Sequence, residues 1–111
     1  MAHLQQVKFV EACKFAFPEY FSNVNVLEIG SWDINGSIRT LFTHCEYLGV
    51  DICEGRGVDE IGLGQEVSHP SSFYETIISC ECFEHNKFWR ETFANMIRML
   101  KPGGLCVITC A

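Results

Sequence analysis

Short runs rich in β-branched and apolar residues recur along this chain, and each is followed by turn formers or by a segment with helical spacing. Residues 24–30 (V-N-V-L-E-I-G), 46–52 (E-Y-L-G-V-D-I), 74–80 (Y-E-T-I-I-S-C) and 105–110 (L-C-V-I-T-C) read as strands. A short, weakly patterned strand is predicted near 58–61. Residues 87–100 place Trp89, Phe93, Met96, Ile97 and Leu100 at helical spacing, with Arg90, Glu91, Asn95 and Arg98 on the other side. The K-P-G-G at 101–104 then stops that helix. Ahead of the first strand, Leu4, Val7, Val10 and Phe17 line one face of a helix ended by Pro18, and residues 37–43 read as a short helix. Strands that alternate with helices imply crossovers lying on the faces of one sheet. The predicted class is therefore α/β, a Rossmann-like, doubly wound, mostly parallel sheet of about five strands with helices on both faces.

At 111 residues and 48% apolar content, the chain has material for one core, so residues 1–111 form a single domain. The net charge is −6 and the eight Lys and Arg are scattered, which predicts no nucleic-acid partner. No apolar run is long enough for a membrane span, and the start M-A-H-L-Q-Q-V-K-F has no signal-peptide character, so the expected location is cytoplasmic. Seven cysteines is an odd number in a sequence without loop-rich, stapled character, so most are expected as free thiols. Cys13, Cys45, Cys53, Cys106 and Cys110 have apolar neighbours and read as small buried hydrophobes. Cys80 and Cys82 form a C-x-C pair without a second pair at finger spacing, so no metal site is predicted.

Ligands of open α/β sheets bind at the carboxyl ends of the strands. In this sequence those ends hold Glu28 to Gly30, Asp51 and Ile52, Cys80 and Glu81, and Cys110. Glu28 is notable because a carboxylate inside an apolar run is costly to bury unpaired. The ordered motifs V-L-E-I-G and S-W-D-I-N-G-S (26–30 and 31–37), Y-L-G-V-D-I (47–52), I-I-S-C-E-C-F-E-H (77–85) and M-L-K-P-G-G-L (99–105) together resemble those of class I S-adenosylmethionine-dependent methyltransferases. The resemblance runs from about Val24 to the end and implies the cofactor-binding part of a seven-stranded fold, cut after its fifth strand.

That resemblance implies S-adenosylmethionine as cofactor, with S-adenosylhomocysteine as product and an acceptor the sequence does not identify. Gly30 and Gly36 would let the backbone pass close to it, with Ser31 and Asn35 in the same loop. Glu28 would anchor the methionine end, directly or through water, and Asp51 would accept both ribose hydroxyls. Ile52 would lie against the adenine, and the backbone at Cys80 and Glu81 would line the methionine side. The first motif, G-S-W-D-I-N-G, departs from the three-glycine pattern. The loop after the third strand has Leu63 rather than an acid, leaving Gln65 to bond the adenine amino group. Glu81 and His85 are the candidate catalytic residues; His85 suits either a general base or, with Glu84, a cap for the following helix. Trp32 reads equally as pocket cover or loop closure, and Trp89 as core.

Two other readings compete. One is a non-catalytic fragment that folds, binds cofactor or self-associates, and on that reading the isolated 111 residues turn nothing over. The other is an NAD-dependent oxidoreductase, which fits worse because G-x-G-x-x-G is absent. An apolar fifth strand at 105–110, without the charges or prolines that protect natural edges, predicts a homodimer through that edge.

Overall fold

The computed structural model describes residues 4–110. Five strands form one sheet: β1 (Asn25–Ile29), β2 (Glu46–Asp51), β3 (Glu60–Ile61), β4 (Tyr74–Cys80) and β5 (Leu100–Thr109). Their spatial order is β3-β2-β1-β4-β5 and every pairing is parallel. The chain order therefore reverses between β1 and β4, which makes their carboxyl ends the switch point of the sheet. The helices α1 (Leu4–Ala16) and α2 (Trp89–Met99) cover opposite faces.

Side chains alternate across each strand, so one strand feeds two cores. On the α1 side, Val26 of β1 packs with Val10, Phe21, Ile38, Ile78, Cys80 and Val107. On the α2 side, Leu27 and Ile29 pack with Val50, Val67, Tyr74, Ile77, Met96 and Met99. Burial on both faces explains the nearly continuous apolar strands of the sequence.

Several local expectations are corrected. The short helix over 37–43 is a single 3-10 turn, Arg39–Leu41. Residues 101–104 do not separate helix from strand: α2 ends at Met99, β5 starts at Leu100, and the K-P-G-G forms a bulge, with Tyr74 opposite Leu100 and Thr76 already opposite Leu105. Gly103 makes the bend at φ +80°. On α2 the buried residues are Thr92, Met96 and Met99, whereas Trp89, Phe93 and Ile97 are exposed. Trp89 is thus not core; the Arg90 guanidinium lies 4.6 Å from its ring centroid. On α1 only Val10 is fully buried, and Leu4 and Phe17 face solvent. All seven cysteines are free thiols, but Cys53 and Cys110 are exposed rather than buried.

The long connection from β3 to β4 lacks regular structure apart from the 3-10 turn Gly64–Glu66, and its backbone groups find partners on α2. Asn95 Nδ2 donates to the carbonyls of Gly64 and Val67, each at 2.9 Å. Arg98 donates to the carbonyls of His69 and Val67 and to Ser71 Oγ. At the base of the loop, His69 bridges Tyr74 Oη (2.7 Å) and Glu60 Oε1 (2.8 Å). A carboxylate only accepts, so Nε2 carries the hydrogen toward Glu60.

Candidate functional site

Loops leaving the carboxyl ends of β1, β2, β3 and β4 enclose a cleft of about 570 Å³. That volume lies within the range of small-molecule and cofactor sites. Ile29, Val50, Ile52, Leu63 and Phe88 give it apolar walls, and Asp51, Gln65, Glu81, His85, Asn86 and Lys87 supply the polar groups.

The first wall is the turn after β1. Gly30, at φ +80°, and Ser31 both donate their N–H to the Val50 carbonyl, at 2.8 and 3.1 Å, which folds the chain back across β2. A Cβ at Gly30 would lie 2.8 Å from Cys82 Cβ, so the glycine is needed both for its conformation and for the close pass of the β4 loop. Trp32 then lines the cleft while its indole lies on Gly55, where a Cβ would come within 2.2 Å of Nε1. Both readings of this residue hold at once: it walls the cleft and closes the loop.

The second wall carries the acid. Asp51 ends β2 half-buried, and its two oxygens are held by the N–H groups of Trp32 (3.0 Å to Oδ2) and Cys53 (3.2 Å to Oδ1). Each carboxylate oxygen retains a further lone pair, so the group remains able to accept two hydroxyls from one diol. Beyond it, Gly62 to Gln65 form the wall that leads from β3.

The third wall follows β4. Glu81 has φ +54°, a conformation costly for a residue with a Cβ, and its N–H donates to the Thr109 carbonyl at 2.8 Å. The next turn, Phe83–His85, brings His85 to the cleft with its side chain exposed. At the entry to α2, Asn86 Oδ1 accepts the Phe88 N–H at 2.8 Å, and Phe88, the N-cap residue, offers no side-chain cap of its own. Burial pushes the Cys80 thiol up to about 11 and raises that of Cys82, which keeps both protonated near neutral pH.

Of the residues singled out from the sequence, Gly30, Asp51, Ile52, Gln65, Glu81 and His85 meet in this cleft, and Glu28, Ser31, Asn35, Gly36 and Cys80 do not line it. Glu28 is 2% exposed and shares the α1-facing side of the sheet, where Tyr47 Oη donates to its Oε1 at 2.5 Å. Burial raises its carboxyl to about 7, against the pull of the Tyr47 hydrogen bond. The Arg39 guanidinium backs this pair, 4.7 Å from the Tyr47 ring centroid, and is itself paired with Asp59 at 2.9 Å. Ser31 Oγ is buried without a hydrogen-bond partner, against Gly49. Asn35 and Gly36 lie in a turn closed by Gly36 N–H to Asp33 Oδ1 at 3.0 Å. Sequence reasoning missed Ile34, Cys53, Cys82, Asn86, Lys87 and Phe88 as lining residues. All of them follow strand carboxyl ends, so extending the strand-end rule by a few residues finds them.

Among the described residues, no group of three or more His, Cys, Asp and Glu is placed to hold a metal ion, and no helix is long and apolar enough to cross a membrane.

A methyltransferase domain family model matches residues 1–111. The chain belongs to this methyltransferase domain family. No curated protein matches it significantly. Among solved structures, this methyltransferase-family chain resembles a candidate S-adenosyl-L-methionine-dependent methyltransferase from Methanococcus maripaludis, with TM-score 0.77 and 14% identity over 95% of this chain and 55% of that one. It also resembles 1,6-didemethyltoxoflavin-N1-methyltransferase from Burkholderia thailandensis, solved with S-adenosylhomocysteine, with TM-score 0.71 and 16% identity over 91% and 50% of the two chains. A third is phosphoethanolamine N-methyltransferase 2 from Haemonchus contortus, solved with S-adenosyl-L-methionine, with TM-score 0.67 and 21% identity over 89% and 28%. The methyltransferase domain thus spans roughly half or less of the length of these proteins.

Proposed function

We propose that this domain binds S-adenosylmethionine in the cleft and serves transfer of its methyl group to an acceptor, with S-adenosylhomocysteine left behind. The observation that carries the reading is Asp51: a carboxylate at the end of β2, at the mouth of an apolar cleft beside the switch point of the sheet. The donor set fits the cofactor. Asp51 accepts the ribose diol, Ile52 and Leu63 flank the adenine, Gln65 faces its amino group, and Gly30 with the Glu81 backbone borders the methionine end. The cofactor supplies a methyl group on a positively charged sulfur. The residues of this chain contribute orientation and exclusion of water, with Glu81 and His85 on the side from which an acceptor would approach. Glu28 acts from behind the cleft, through Tyr47, in holding the end of β1.

The same reading proposes a cytosolic protein, supported by seven free thiols. It also proposes self-association through the β5 edge, and cofactor binding without turnover for these 111 residues alone. A methyl-transfer assay across amine, hydroxyl and thiol acceptors checks the last point. The direct test of the reading is calorimetric titration with S-adenosylhomocysteine and, separately, NADH. Binding of the first and not the second is expected; the reverse would make the cleft a dinucleotide site.

A further inference from the structure

We propose that Thr92, which does not line the cleft, is the positioning residue that sets the spacing between two of its walls; this rests on the cofactor reading above. Thr92 lies in the first half of α2 and is fully buried. Its hydroxyl accepts from Asn86 Nδ2 at 2.9 Å and faces Gln65 Oε1 at 3.4 Å as donor. Asn86 belongs to the wall that follows β4, and Gln65 to the wall that follows β3. One hydroxyl therefore uses its donor and its acceptor capacity to join two loops that have no strand pairing between them.

The methyl group lies at the same contact. A Cβ at Gly64 would lie 2.7 Å from Thr92 Cγ2, so the β3 wall approaches α2 as closely as a glycine allows. Asn95, one turn further along the helix, fixes the Gly64 carbonyl from the same side. At the other end, Asn86 Oδ1 accepts the Phe88 N–H, so the side chain that Thr92 holds also shapes the entry to α2. Moving either loop breaks a bond to this buried hydroxyl, and an unpaired buried polar group is costly. Gln65 and Asn86 are thereby kept at a fixed separation across the opening.

Thr92→Val keeps the shape and removes the hydroxyl, and Thr92→Ser keeps the hydroxyl and removes the methyl. Hydrogen–deuterium exchange on the cofactor-free protein is expected to show at least a fivefold faster exchange of both 62–66 and 83–88 in Thr92→Val, with β1 and α1 unchanged. Thr92→Ser is expected to stay within twofold of wild type in both segments. In titrations with S-adenosylhomocysteine below the melting range of each variant, Thr92→Val should bind about three- to tenfold more weakly, with Thr92→Ser near wild type. A change in only one segment, or equal affinity of Thr92→Val and wild type, would overturn the proposal. If wild type fails to bind S-adenosylhomocysteine while the paired exchange response persists, the cofactor reading fails and the positioning role stands.

Discussion

Asp51 is held by two backbone N–H groups before any ligand arrives, so its carboxylate is oriented while each oxygen keeps a further lone pair. Asp51→Ala removes the proposed ribose contact, worth about 1.5–3 kcal/mol for hydrogen bonds to a charged group, or roughly ten- to a hundredfold in Kd. Calorimetry with S-adenosylhomocysteine reads this directly, and unchanged affinity in a folded variant would remove the ribose assignment. Glu28 titrates in the opposite sense to most folded carboxylates, because burial raises it to about 7 while an unfolded glutamate stays near 4.3. Between those values the folded state holds a proton that the unfolded state has lost. Stability from this group is therefore full below about pH 4.3, falls as pH rises toward 7, and is level above it. Glu28→Gln, which keeps an acceptor for Tyr47, should lack that slope. Urea midpoints of the two proteins are expected to diverge between pH 5 and 7 in favour of the variant; parallel profiles would show that Glu28 stays ionised. An acid in the run V-L-E-I-G was legible as unusual from the sequence, but its partner was not, since Tyr47 meets it only through the parallel register of β1 and β2.

The elements legible from the sequence are those whose pattern has a single solution. Tyr74–Cys80 is an apolar strand by composition and by structure, with the same bounds. The α2 segment has two solutions. The stripe read from periodicity is Trp89, Phe93, Met96, Ile97 and Leu100, whereas the buried face centres on Thr92, Met96 and Met99, with Leu100 half-buried and Trp89, Phe93 and Ile97 exposed. With that face buried, Asn95 and Arg98 beside it reach the carbonyls of the β3–β4 connection. Periodicity does not count a distant loop's hydrogen bonds, and so it places Met96 correctly but Trp89, Phe93 and Ile97 on the wrong side. This assigns α2 a second task besides packing, and Asn95→Ala tests it. The Gly64 carbonyl loses its Asn95 partner and the Val67 carbonyl is left with Arg98 alone, with an expected cost of about 1–3 kcal/mol. Chemical denaturation should register that loss. A variant as stable as wild type would mean that water replaces the amide and that the loop does not depend on α2.

At the scale of the whole molecule, the sheet has an asymmetric pair of borders. The β3 edge is two residues long, whereas the β5 edge runs from Leu100 to Thr109. The strand begins earlier than the 105–110 read from sequence, and in this added first half Pro102 and the bulge at 101–104 interrupt the edge. Residues 105–109 have no such device. Thr109 turns its carbonyl toward β4, where Glu81 N–H meets it, and backbone groups alternate sides along a strand. Val107 therefore also faces β4, and Cys106 and Ile108 direct their N–H and C=O groups outward. Among the described residues no strand pairs with these groups, and the side chains beside them are half-buried, so an apolar margin accompanies them. A second copy offers the same strand, and antiparallel pairing of β5 with its copy about a two-fold axis satisfies both sets of groups. The expected outcome is a dimer at high protein concentration in light scattering, measured under reductant because Cys110 is exposed next to this edge. Ile108→Pro removes an outward donor without touching the β4–β5 ladder and should give a monomer with little change in melting temperature. Wild type that remains monomeric, or an Ile108→Pro variant that dimerises as well as wild type, would show that β5 does not mediate association.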